Sequence, residues 1–388
     1  MLIVMAAVLV APAPAHAARV LTWGLHSRFV NPRTAELADP KHGSGPVHRP
    51  SLRVKILLPA GYDGRRRFPV LYLLHPHGSD ADSWLDPGQG DIARLARGLG
   101  AVIVMPDGGV NYYSDVWNGG TRSPAWERYM VERLIPTVER HLRIRRGRRW
   151  HALAGFSMGA YGAFYLAAQR PGYFGAAASL SGPLNLQRPE WPSAYNIDQS
   201  PWGMTYDDQW GDPQANDFYW TGHNPTRLLS NLRYTRLYAA HGDGVPHTQA
   251  EVNDFVSVLA EKEVGQQTDD FVAAAQAAHL DVTFRLAQGL HNWPSTRERY
   301  PAAQDWGFFR AVVERPSRWS YDTVQTRAGA WGFRFAFTKS PTTLERFSLV
   351  GRRLEAQGSG SAAIRTPGGR LLHLRLPFSK ALRRSDLR

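Results

Sequence analysis

A serine, a late histidine and two carboxylates occupy positions from which acyl chemistry can be run. The serine is Ser157, in Gly155-Phe156-Ser157-Met158-Gly159. The pentapeptide matches G-x-S-x-G, a sharp turn that holds a serine between a strand and a helix. The flanks fit that setting. Trp150 to Ala154 is short and mostly apolar, as a buried strand is, and residues 160–169 are rich in helix-forming alanine and leucine. In so tight a turn a side chain at Gly155 or Gly159 would strike neighbouring backbone. A serine at a helix start also faces free N–H groups and the positive end of the helix dipole, which favour a developing oxyanion. In a chain with 36 glycines the pattern alone carries little weight; the strand–turn–helix setting makes Ser157 a candidate nucleophile.

A serine hydroxyl needs a base, usually a histidine oriented by a carboxylate. His291 lies in Gly289-Leu290-His291-Asn292-Trp293, after the last predicted strand. That position fits the chain order serine, acid, histidine. Two carboxylates compete for the acid. Asp243 follows a predicted strand directly, and Glu261 lies at the end of a predicted helix. Spacing does not choose between them. An oxyanion site needs two backbone amides. One is expected from Met158 and the other from the loop after Leu74, at His77 or Gly78, with His77 taken here. His75 and His77 flank a proline with no carboxylate or cysteine cluster beside them, so neither a metal nor a cofactor is expected.

The elements that must position these groups follow from hydrophobic patterning. Residues 52–58, 69–74, 101–105, 150–154, 174–180, 235–240 and 282–286 read as strands. Helical stretches are expected over 91–99, 126–142, 160–169, 248–262 and 268–279. This alternation predicts an α/β fold with a mostly parallel sheet covered on both faces. Residues 183–225 form a long aromatic-rich excursion, either a lid or a loop packed down by its own rings. After Glu314 the pattern changes to strict alternation, as in Phe333, Phe335 and Phe337, which predicts a small separable β-module with a loose basic tail from Lys380. The expected organisation is a leader over 1–17, an irregular lead-in over 18–50, a catalytic domain over 51–314 and the β-module over 315–388.

Composition bounds the setting. The chain has 388 residues, a net charge of +13 and no cysteine. No disulfide framework or thiolate chemistry is available. A short apolar run over 2–10 precedes Ala15-His16-Ala17, as in a secretory signal peptide without its basic start. The positive charge suits peripheral contact with an acidic cell envelope. Nucleic-acid binding is not expected, since no basic stripe interleaved with aromatics and no recognition motif occurs. The oligomeric state is not legible.

Several blocks resemble the putative-esterase family of α/β hydrolases, which joins esterase D-like enzymes with mycolyltransferases of the antigen-eighty-five type. They are Phe68 to His75, Tyr112-Tyr113-Ser114-Asp115 with Trp117, Ala154 to Gly159, Ser179 to Gly182, Trp210 to Pro213, Asn224-Pro225-Thr226 and Gly289 to Trp293. The Tyr-Ser-Asp and Trp-Gly-Asp-Pro blocks look more like the mycolyltransferase branch. There the acid is a Glu on a helix, followed by a Thr and a Phe, as Glu261 is by Thr268 and Phe271. The resemblance therefore implies Glu261 as the acid and Asp243 as the alternative. It also implies an acyl-enzyme on Ser157 and transfer of mycolic or other long-chain acyl groups to trehalose or an envelope glycolipid. His75-Pro76-His77-Gly78 departs from the Asp-Gly-Leu-Arg loop of that branch, which bears on the sugar. A carbohydrate-ester hydrolase and a non-catalytic envelope-binding protein are the alternative expectations.

Overall fold

The computed structural model describes residues 18–30, 52–117, 124–199 and 205–388. The expected leader and most of the lead-in lie outside them. The first unit is an eight-stranded sheet built from β1 (Arg19–Leu25), β2 (Leu52–Leu58), β3 (Val70–Leu74), β4 (Val102–Pro106), β5 (His151–Phe156), β6 (Ala176–Leu180), β7 (Arg236–Gly242) and β8 (Val282–Ala287). Their spatial order is β1-β2-β4-β3-β5-β6-β7-β8. The pairs from β4 to β8 are parallel and those joining β1, β2 and β4 are antiparallel. Strands β3 to β6 are buried at every residue. Their unbroken apolar runs are what a sheet covered on both faces requires. This is the α/β-hydrolase architecture, as expected.

Three helices carry or brace the site: α1 (Met158–Gln169), α2 (Phe255–Ala277) and α3 (Trp293–Trp306). Every residue of α1 is buried. Helix α2 is a single 23-residue rod where two shorter helices were expected. Gly265 lies in the middle of it because the helix crosses the His241 ring there; a Cβ on Gly265 would come within 2.9 Å of His241 Nδ1. The helix expected over 91–99 shortens to Ile92–Leu95. Among its described residues the excursion folds into three short helices, Trp191–Gln199, Tyr206–Trp210 and Asp217–His223. Trp191, Tyr195, Trp210 and Trp220 are buried in the main core, so this stretch is packed down by its own rings.

The lead-in is not wholly irregular. Strand β1 pairs with β2 from Arg19↔Leu58 to Leu25↔Leu52. Its partner lies more than two dozen residues away, so local composition concealed it.

Beyond Glu314 the strands are β9 (Arg318–Thr323), β10 (Arg327–Ala330), β11 (Phe333–Phe337), β12 (Glu345–Val350), β13 (Arg353–Gln357), β14 (Ser361–Arg365), β15 (Leu371–Arg375) and β16 (Phe378–Ala381). They form two four-stranded antiparallel sheets, β10-β11-β14-β15 and β16-β13-β12-β9. Their facing side chains share one core, with the Phe335 and Phe347 rings stacked at 4.1 Å. The tail is also fixed: β16 pairs with β13, Leu382 is buried, and the buried Asp386 carboxylate accepts from Arg383 N and Arg370 Nη1. A run of basic residues read as loose is held by one buried acid.

This sandwich grips α1, the helix that follows Ser157. Tyr321 Oη donates to Gln169 O at 3.2 Å, and Gln325 Nε2 reaches Tyr165 Oη at 3.1 Å. Asn231 Nδ2 bridges Ala168 O and Asp322 O at 3.1 and 2.8 Å. A Cβ on Gly222 would lie 2.5 Å from Val324 Cγ2. Ending the chain at Glu314 uncovers these groups, so the truncated protein is expected to melt at least about 5 °C below the full chain or to lose solubility. Scanning calorimetry checks this. A midpoint unchanged to about 1 °C would mean that the sandwich is energetically separable after all.

Candidate active site

Strand β5 ends at Phe156 and α1 begins at Met158, leaving Ser157 alone at the turn. Its backbone sits at φ +54° and ψ −120°, a strained region for a residue with a side chain. The neighbouring glycines permit the turn. A Cβ on Gly155 would stand 2.2 Å from Gly159 C, and one on Gly159 would stand 2.2 Å from Leu74 O. The start of α1 therefore rests directly on the end of β3, whose loop carries His75 to Gly78.

Ser157 Oγ donates to His291 Nε2 at 2.7 Å. His291 Nδ1 donates to Glu261 Oε2 at 2.8 Å. Serine and histidine are half-buried and Glu261 is fully buried. The second oxygen of Glu261 is equally occupied: Oε1 accepts from Ser181 Oγ at 2.7 Å, Arg299 Nη1 at 2.7 Å and the Gly242 amide. Burial by itself penalises a charged carboxylate. The bond to His291, the Arg299 charge and the Gly242 amide overcome that, and the Glu261 pKa falls to about 2.

Asp243 does something else. Its Oδ1 accepts from Val245 N at 3.0 Å and Gly289 N at 3.1 Å, so it pins the loop that presents His291. The structure thus brings Glu261 to the histidine and leaves Asp243 as a brace. That loop is fixed further by His291 N donating to Ser257 O at 3.2 Å, and by Asn292, which caps α3 through Ser295 N at 3.1 Å. Phe156 lies against the imidazole, with ring centroids 4.9 Å apart.

Met158 is the first residue of α1, where no intrahelical carbonyl reaches the amide. His77 is half-buried in the loop after β3, its ring 6.2 Å from that of Tyr112. His75 is a structural pin. Its Nδ1 donates to Pro76 O at 2.8 Å and its Nε2 accepts from Gly108 N at 2.8 Å, which uses both ring nitrogens.

Sequence reasoning missed Arg299 and the role of Ser181. Arg299 Nη1 reaches both Glu261 and Ser181 Oγ, and its Nη2 donates to Leu290 O at 3.0 Å, beside His291. In the sequence it sits in Arg297-Glu298-Arg299, which reads as a solvated stretch. Only the packing of α3 against β6 and β7, where α2 brings in Glu261, makes it a buried cation.

Comparison with known proteins gives the family and the fold. Residues 49–306 match the family described as putative esterase. The chain belongs to the putative-esterase family. Esterase Rv1288 of Mycobacterium tuberculosis is 33% identical over 196 residues, covering 49% of this chain and 42% of that protein. A diacylglycerol acyltransferase/mycolyltransferase, Ag85C of Mycobacterium avium, is 27% identical over 209 residues, covering 50% of this chain and 57% of that one. The chain thus spans about half the length of these relatives. Among solved structures, Mycobacterium tuberculosis MPT51 superposes with a TM-score of 0.56 at 23% identity, covering 69% of this chain and 97% of its own. This likeness is one of fold.

The Glu261 environment has a consequence for stability. The folded carboxyl titrates at about 2 against an ordinary value of 4.5. Its ionisation therefore stabilises the fold above the ordinary range, and that contribution, about 3 kcal/mol, is lost as pH falls from about 4.5 to about 2. Thermal melts from pH 7 to pH 2 on the parent and on Glu261→Gln are expected to differ in slope within that window, with the variant flatter. Equal slopes would refute the assignment.

Proposed function

We propose that the chain is an exported serine-dependent acyl-ester hydrolase or acyltransferase, with residues 51–314 as the catalytic unit and 315–388 as a bracing β-module. The observation that carries the reading is the unbroken chain of hydrogen bonds from Ser157 through His291 to Glu261, at 2.7 and 2.8 Å. In the mechanism Ser157 Oγ attacks the ester carbonyl while His291 Nε2 takes its proton. Glu261 holds the imidazole tautomer that presents Nε2 as acceptor and faces the imidazolium that forms. The Met158 and His77 amides receive the oxyanion. His291 then returns its proton to the leaving alcohol, and an acyl-enzyme on Ser157 remains. Water or an acceptor hydroxyl, activated by His291, releases the acyl group and regenerates the serine.

The mycolyltransferase relatives support a long-chain acyl donor and a trehalose-type or envelope glycolipid acceptor. The leader pattern and the net charge of +13 support export to the cell envelope. The network around Glu261 speaks against a worn scaffold, because a buried charge with four donors is costly to keep without a use.

Purified protein is incubated with p-nitrophenyl esters of rising chain length, with and without trehalose. Ser157→Ala is expected to lower release by at least about 10³-fold. Glu261→Gln is expected to cost about 10²- to 10⁴-fold, and Asp243→Asn less than about tenfold. Acylated trehalose among the products assigns transfer; its absence with full release assigns hydrolysis. Release that survives Ser157→Ala sinks the serine mechanism.

A further inference from the structure

The end of the sheet opposite Ser157 is rimmed with arginine. Residues 64–68 lead into β3 and residues 143–150 into β5, and these strands run parallel, so both loops lie at the same end. Arg65, Arg66, Arg67, Arg143, Arg145 and Arg146 are all exposed there. Among the described residues none of these guanidiniums pairs with a carboxylate. The nearby Asp63 carboxylate is used by the Arg65 and Arg66 backbone amides at 2.9 and 3.0 Å.

The two loops form a rigid platform. Phe68 N donates to Arg143 O at 2.7 Å, and Arg145 N donates to Phe68 O at 2.8 Å. Arg67 Nη1 donates to Ile144 O, Arg143 Nε to Gly64 O and Arg145 Nε to Arg67 O, at 2.9 to 3.1 Å. These bonds cross-tie the loops through neutral carbonyls, and the carboxylates Asp63 and Glu314, both bound at backbone amides of these loops, offset only part of the positive charge. Beneath them the buried Arg148 donates to Tyr234 O, Val313 O and Phe174 O. Trp150 stacks with the guanidiniums of Arg145 and Arg149, 4.3 and 4.2 Å from its ring centroid. Between the cations lies a recess of about 330 Å³, floored by Phe68, Leu99, Trp150 and Phe309 and rimmed by Arg66, Arg67 and Arg145.

We propose that this face docks onto an anionic phospholipid bilayer. Guanidinium forks match phosphodiester oxygens, and a tryptophan among cations is suited to the headgroup layer. The recess decides the kind of polyanion. Its lining has no Asn, Gln, Ser or Thr to read a base edge or a sugar hydroxyl, only rings, aliphatic carbon and arginine. An apolar floor under a cationic rim accommodates the glycerol and upper acyl region beneath a phosphate. Docked this way, the protein keeps the Ser157 end of the sheet directed away from the bilayer.

The test uses the full chain and sedimentable vesicles of phosphatidylcholine with or without phosphatidylglycerol. Each arginine near an anionic surface contributes about fivefold in partitioning, and salt screens it. Binding to the phosphatidylglycerol vesicles is expected at about 50 mM salt and to fall away at about 500 mM. Arg65→Ser/Arg66→Ser/Arg67→Ser is expected to weaken it about a hundredfold. Arg352→Ser/Arg365→Ser/Arg375→Ser removes the same charge from the β-sandwich and is expected to change it less than about threefold. Thermal melts verify folding; if the first triple variant melts low, Arg145→Ser/Arg146→Ser replaces it. Ser157→Ala is expected to bind like the parent, which separates docking from the catalytic reading. Equal binding to both vesicle types, or equal losses in the two triple variants, overturns the proposal. So does retention on heparin or duplex DNA with no vesicle binding, which would make the face a site for another polyanion.

Discussion

A full negative charge is buried at Glu261, and much of the architecture is arranged to make that tolerable. An isolated carboxylate in a protein interior costs several kcal/mol. Here four donors converge on it from four elements: Gly242 from the end of β7, Ser181 from the turn after β6, Arg299 from α3 and His291 from the loop between β8 and α3. The acid itself projects from α2. None of these groups is a sequence neighbour of another, so the charge is satisfied only when sheet and helices are all in register. The same condition fixes the imidazole, because the oxygen facing His291 cannot turn while its partner oxygen is held.

Ser157, the proposed nucleophile, is supported from the opposite direction. Ser157 keeps a strained backbone because α1 cannot relax. At its start the helix is pressed onto Leu74 by Gly159, and at its far end the β-sandwich holds Tyr165 and Gln169 directly and Ala168 through Asn231. Between these ends every α1 residue is buried. A strained turn of this kind persists when its surroundings over-determine it. The C-terminal module therefore belongs to the mechanical support of the site, through contacts more than 150 residues apart in sequence.

What could be read from the sequence divides along the same line. Features set by local pattern were legible: the elbow around Ser157, the buried strands and the alternating phenylalanines of β11. His291 was legible because it follows a strand in the chain order that acyl chemistry uses. The choice of Glu261 over Asp243 was not available from spacing. Asp243 has the more conventional position, and only the crossing of α2 over β7 turns Glu261 inward and leaves Asp243 to brace the loop. Arg299, β1 and the anchored tail escaped for a common reason. Each owes its state to a distant partner — Glu261, β2 and β13 — and looks polar, irregular or mobile when read alone.

The cation beside the acid raises a question of balance. Arg299 contacts Oε1 and not the oxygen that meets His291. Burial raises the Glu261 pKa, the bond and charge of His291 lower it most, and the Arg299 charge lowers it further, to about 2. Viewed only as a counter-ion for an imidazolium, Glu261 is weakened by this. In the proposed reaction the weakening has a use, because an acid held so far below neutrality does not take a proton that His291 receives from Ser157. The proton would stay on the imidazole, in position for the leaving group. Arg299 also reaches Leu290 O, so the cation beside Glu261 tethers the residue preceding His291. One buried side chain thus helps to fix both orientation and protonation state, together with His291 and the Gly242 amide, and electrostatic strength toward the imidazolium is what the site gives up in return.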